Sequence, residues 1–85
     1  MMITVYSQPN CPHCDRVKRQ LTGLGEMFEE IDVARHPAAR KMIQEVWGYS
    51  QVPVVSYDGD TILNPNPNEL EDFIYGDEKS VFDEY

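Results

Sequence analysis

Two cysteines three positions apart, Cys11 and Cys14, stand directly after a β-branched run and at the opening of a helical pattern. A pair so placed, inside a strand–helix–strand unit, restricts the chain to a small α/β domain built around a dithiol. Reading outward from the pair, Met2 to Ser7 forms a first strand that stops at the turn-prone Gln8, Pro9 and Asn10. Pro12 suits a first helical residue, and Cys14, Val17, Leu21 and Leu24 give the following helix an apolar stripe until Gly23 and Gly25 end it. Met27 to Val33 reads as a second strand. Pro37 opens a second helix with a stripe of Ala39, Met42, Ile43, Val46 and Trp47, stopped by Gly48.

Val52 to Tyr57 is a third strand, and Asp58-Gly59 is a hairpin pair that returns the chain antiparallel through Thr61, Ile62 and Leu63. Asn66, with Glu69 three residues on, makes a capping box for a third helix whose apolar face is Leu70, Phe73 and Ile74 and whose stop is Gly76. Residues 1–76 are therefore expected to be one domain and 77–85 a loosely held acidic tail. Eighty-five residues leave no room for a second domain, and 41% hydrophobic with 26% charged residues is globular composition.

Charge narrows the partners. The net charge is −8, divided unevenly: residues 1–41 carry five acids and six bases, residues 42–85 ten acids and one base. Such a chain is a poor ligand for duplex nucleic acid, which needs cations to displace counterions. No run approaches the roughly 18 apolar residues of a spanning helix. Met1 to Ser7 has neither the basic nor the apolar stretch of a secretory signal, so a cytoplasmic monomer without membrane contact is the expectation.

The chemistry follows from Cys11-Pro12-His13-Cys14. With Pro12 as the first helical residue, Cys11 falls at the N-cap, where its sulfur meets unpaired N–H groups and the positive end of the helix dipole. Protonated His13 would add charge in the same turn, which makes Cys11 the expected nucleophile. Cys14, one turn deeper on the apolar stripe, is placed to attack a disulfide formed at Cys11. A purely structural disulfide would close almost no loop and stabilise little. A zinc site within one chain needs four ligands, and beyond the cysteines only His13, His36 and carboxylates at no recognisable spacing remain. Carriage of zinc or an iron–sulfur cluster between two chains, through Cys11 of each, is the alternative reading; a structural role without turnover is another.

At these residues the chain resembles the thioredoxin superfamily, and within it the glutaredoxin-like redoxins of the NrdH type, which feed electrons to ribonucleotide reductase. The likeness runs from about Met2 to Ile74. It includes the cysteine pair, Lys18-Arg19 in its helix, and Gly48-Tyr49-Ser50-Gln51-Val52-Pro53-Val54-Val55. It implies a thioredoxin-like fold: a four-stranded mixed sheet of order 2-1-3-4 flanked by three helices. It also implies that Pro53 is a cis proline beside the dithiol, that the Val52 backbone hydrogen-bonds substrate, and that the only redox group is the Cys11–Cys14 disulfide, with no cofactor. Its substrates would be protein disulfides, ribonucleotide reductase among them.

Three departures bear on partners. Gln8 stands where glutaredoxins commonly carry the Lys or Arg that holds the glutathione carboxylate. Asn64-Pro65-Asn66 replaces the small-residue turn before the last helix, and Pro65 has no N–H to give. A flavoprotein of the thioredoxin reductase type is thus the expected electron source ahead of glutathione. Pro12-His13 resembles the dipeptide of the oxidant DsbA, so the disulfide is expected to be more oxidising than thioredoxin's. Tyr6, one residue before the turn, and Trp47 are candidates either for aromatics at the site or for core packing.

Overall fold

A computed structural model of the chain describes residues 2–83, with side chains over residues 2–76. Seven elements follow in order: β1 (Ile3–Ser7), α1 (Pro12–Gly23), β2 (Phe28–Asp32), α2 (Pro37–Glu45), β3 (Val54–Tyr57), β4 (Asp60–Leu63) and α3 (Pro67–Asp83). The strands form one sheet of order β2-β1-β3-β4, with β1 parallel to β2 and antiparallel to β3, and β3 antiparallel to β4. This is the thioredoxin-like arrangement. The turn between β3 and β4 places Asp58 at φ 52° and Gly59 at φ 83°, the left-handed pair that matches the twist of a two-residue hairpin.

Alternation along the two central strands makes two cores. Ile3, Val5 and Val55 face α1 and α3, where Val17, Leu21 and Leu70 complete a buried cluster. Tyr6 and Val54 face the other way and pack with Val33 and Ile43 under α2. Successive strand residues point to opposite faces, so one residue's step in β1 or β3 changes the layer. Among the described residues no helix is long and apolar enough to cross a membrane.

Three expectations need correction. Gly76 does not stop the third helix, which continues to Asp83. A glycine without positive φ only costs a helix about 1 kcal/mol, and neighbouring residues outweigh it. Leu24 and Val46 were expected in apolar stripes, yet they cap the ends of α1 and α2 and are 36% and 72% exposed. Both helices stop before their periodicity does, so one late stripe position in each turns outward, although Trp47, the last of the α2 stripe, still packs against the core. Residues 77–83, expected as part of a loose acidic tail, are the last turns of α3, while their side chains and residues 84–85 lie outside the described residues.

Candidate active site

The turn after β1 delivers the chain to α1 through Asn10 at φ 58°, a left-handed conformation that asparagine tolerates. Cys11 is the N-cap: its backbone is extended (φ −119°, ψ 99°), and its Sγ accepts the Cys14 N–H at 3.2 Å. Its carbonyl accepts the first main-chain bond of the helix, from Asp15 N, at 3.1 Å. Cys11 and Cys14 are joined as a disulfide with Cα atoms 5.2 Å apart. The two sulfur residues are not equivalent, since Cys14 is 0% exposed and Cys11 9%. A thiol at the N-cap gains from both the N–H contact and the dipole when ionised, whereas the inner one is shielded from solvent.

Three segments are knotted around this helix end. The Val52–Pro53 peptide bond is cis and Pro53 is fully buried. Its carbonyl accepts from Asn64 N at 2.8 Å, which ties the turn before β3 to the loop before α3. That loop is held from α1: Arg16 Nη2 donates to the Pro65 carbonyl at 2.8 Å and Gln20 Nε2 to the Pro67 carbonyl at 2.8 Å. The helix carrying the cysteines therefore also positions the cis-proline neighbourhood. Below it, Ser7 Oγ and Lys18 Nζ both donate to Glu30 Oε2 at 2.7 Å, joining β1, α1 and β2. These bonds, the Lys18 one foremost, hold the Glu30 carboxyl below its ordinary range, and the Glu30 contact raises Lys18.

A cleft of about 330 Å³ opens beside Cys11. Of the residues singled out from the sequence, Gln8, Cys11, Pro12, His13 and Val52 line it. Val52 precedes β3, lies outside the strand ladder and lines the cleft together with Tyr49, Ser50 and Gln51. Tyr6 does not line it. The ring is 7% exposed, packs edge-on against Trp47 at 5.4 Å, and belongs to the core under α2, where burial first and the Glu29 carboxylate second push its phenol up. The substrate-binding expectation for Tyr6 is thus corrected to core packing.

Arg40 and Tyr49 line the cleft without having been singled out for it; Tyr49 Oη is 3.1 Å from Thr61 Oγ1. Tyr49 was visible within the resembling segment, and Arg40 through the absence of any acid between Val33 and Gln44. Among the described residues no group of three or more His, Cys, Asp or Glu side chains is arranged to hold a metal ion.

Known proteins resemble this chain in sequence and in fold. The glutaredoxin family model matches residues 3–62. The gene 56 protein of Mycobacterium phage L5 is 37% identical over 73 residues, covering 85% of this chain and 71% of that protein. The glutaredoxin-like protein NrdH of Lactococcus lactis is 33% identical over 69 residues, covering 81% and 94%. Among solved structures, the NrdH-redoxin of Escherichia coli, described as having a thioredoxin-like activity profile, superposes with a TM-score of 0.75 at 32% identity, covering 80% of this chain and 88% of that one.

Proposed function

Because the chain belongs to the glutaredoxin family and is a thiol–disulfide oxidoreductase, we propose that Cys11 is its nucleophile, Cys14 its resolving thiol, and protein disulfides its substrates. The observation that carries this reading is the inequality of the two sulfurs: one caps a helix at the edge of a cleft, the other is fully buried one turn below.

The reduced protein works as follows. Cys11 thiolate attacks one sulfur of a partner disulfide; a Cys11–partner bond forms, the partner's S–S bond breaks, and the expelled thiolate takes a proton. Cys14, losing its proton, then attacks Cys11 Sγ, and the second partner thiolate leaves and is protonated. The partner has gained two electrons from the dithiol and two protons, one from Cys14 and one from solvent, and the Cys11–Cys14 disulfide remains. The cleft beside Cys11 and the Val52 main chain bind the partner segment, with cis Pro53 shaping the turn; Pro12 fixes the first helical turn.

The same likeness supports ribonucleotide reductase as an acceptor, and the loop before α3 supports recharging by an NADPH-dependent flavoprotein reductase over glutathione. Asn64 N–H is taken by the Pro53 carbonyl, Asn66 N–H by Glu69 Oε1 at 2.9 Å, and Pro65 and Pro67 have none. Little remains there to grip the tripeptide's carboxylate. A Cys14→Ser variant is expected to accumulate a mixed disulfide with an oxidised partner, and Cys11→Ser none. The reverse outcome would overturn the assignment of roles. Insulin reduction by the purified protein, with thioredoxin reductase and NADPH in one arm and glutathione with its reductase in the other, identifies the donor; faster turnover with glutathione overturns that part.

A further inference from the structure

The stretch of chain beside the dithiol is held from outside the sheet. Val52 and Pro53 precede the strand ladder, which begins at Val54. Among the described residues, one main-chain hydrogen bond outside the helices and strands reaches them, from Asn64 N to the Pro53 carbonyl at 2.8 Å. The placement of Val52 at the cleft therefore depends on where Asn64 stands.

Asn64 belongs to a loop that cannot fix itself. It follows β4 at φ 44°, two of the next three residues are prolines without an N–H, and the Asn66 N–H is taken by Glu69 Oε1. Acceptors outnumber donors there, and α1 supplies the missing donors. Arg16 Nη2 donates to the Pro65 carbonyl at 2.8 Å and to Asn64 Oδ1 at 3.4 Å. One turn on, Gln20 Nε2 donates to the Pro67 carbonyl at 2.8 Å. Arg16 Nη1 is buried as well, so the head group enters the seam between helix and loop. None of the ion pairs among the described residues draws it away. Hydrogen bonds from a guanidinium are charge-assisted and roughly twice as strong as neutral ones.

We propose that Arg16 is a positioning residue for substrate binding: by fixing Asn64 and Pro65 it holds the Val52–Pro53 main chain where a polypeptide disulfide, bound at Cys11, meets it. This rests on the reading of Cys11 as nucleophile and of Val52 as main chain that binds the partner. The guanidinium itself touches no reacting atom. A small disulfide reaches Cys11 without spanning to Val52, so the role shows as a difference between large and small substrates.

The test is single-turnover reduction of insulin and of bis(2-hydroxyethyl) disulfide by the full, reduced chain, each over a range of substrate concentrations. Dividing the insulin rate constant by that for the small disulfide removes changes at Cys11 itself. Arg16→Met is expected to lower this ratio about 5- to 10-fold, through a higher half-saturating insulin concentration rather than a lower limiting rate. Arg16→Lys keeps a cationic donor for the Pro65 carbonyl and should lie closer to the parent. Arg19→Gln removes the same charge from the exposed face of α1, where Arg19 Nε faces the Asp15 carbonyl of its own helix at 3.5 Å, and should keep the parental ratio. A parental ratio in folded Arg16→Met, no recovery with Arg16→Lys, or the same loss in Arg19→Gln would overturn the proposal. So would an equal loss with both disulfides, because charge at Cys11 would then be responsible. If Arg16→Met does not fold, Arg16→Gln takes its place. Failure of the parent to reduce either disulfide would instead remove the dithiol reading beneath the proposal.

Discussion

His13 follows the helix-opening proline and is exposed, so its effect on Cys11 acts through charge rather than packing. A protonated imidazole in the first turn stabilises the thiolate, hence the reduced protein, and makes the disulfide a stronger oxidant. His13→Val is expected to lower the reduction potential by about 20 mV, taking about 1 kcal/mol for one charge at a helix end. Equilibration with a glutathione redox pair measures it, and an unchanged constant would remove His13 from the account. Glu30 offers a second residue-level test. Its depressed carboxyl contributes stability that is present above the ordinary Glu range of about 4.3 and is lost as pH falls through the folded value. Raised Lys18 works in the other direction, its contribution complete below about 10.4 and lost as pH rises through the folded value. With the Glu30 side chain 42% exposed, the pair amounts to less than about 1 kcal/mol. Glu30→Gln should therefore lower stability at neutral pH by less than about 1 kcal/mol, leave it unchanged below the folded Glu30 value, and so flatten the acid limb of a urea-denaturation profile. Cys11 and Cys14 were legible because an N-cap is made within three residues of chain. Arg40 was only partly so: the acid-free run from Val33 to Gln44 marks a basic segment, but its contact to Gln8 spans 32 positions and leaves no local pattern.

Among the elements, α3 shows best where local reading succeeds and where it fails. The capping box was legible because Asn66 and Glu69 satisfy each other's backbone N–H, at 2.9 and 2.8 Å, without help from the rest of the fold. Gly76 was misread because breaking power is only a propensity, and the helix runs through it. Leu24 and Val46 were misread for a related reason: a stripe says which face is apolar, not where the hydrogen bonds end. Both features of α3 can be tested by the same measurement. A Cβ at Gly76 would meet nothing within 4 Å among the described residues, and its φ is not positive. Gly76→Ala is expected to stabilise the chain by about 0.5–1 kcal/mol. Asn66→Ala should cost about 1 kcal/mol. In a domain this size each kilocalorie moves the melting midpoint by about 4–8 °C, so thermal scans should separate the two variants in opposite directions from the parent. A Gly76→Ala midpoint below the parent's would mean that the helix is not continuous there.

Across the whole molecule the sheet divides one apolar core into two, and the dithiol rests where both end. The order of elements was readable from turn residues and periodicity, whereas the sheet order came from resemblance, because no local pattern states which strands are neighbours. Cooperation between the two layers is a property of the assembled chain alone. Leu21 is fully buried in the layer of α1 and α3, and the single tryptophan, Trp47, packs against the layer under α2. Leu21→Ala should cost about 2–5 kcal/mol. That is a large share of the roughly 4–13 kcal/mol available to 85 residues. β1 and β3 each supply side chains to both layers: Val5 and Tyr6 from one strand, Val55 and Val54 from the other. Loss of order on one face then displaces the strands that form the other. Urea unfolding of Leu21→Ala is expected to show the same lowered midpoint by Trp47 fluorescence, reporting the remote layer, as by far-ultraviolet circular dichroism, reporting all helices. A fluorescence midpoint left at the parent value while the helical signal shifts would mean that the layers unfold separately. In that case the cysteine helix could loosen without disturbing the Val52–Pro53 side of the cleft.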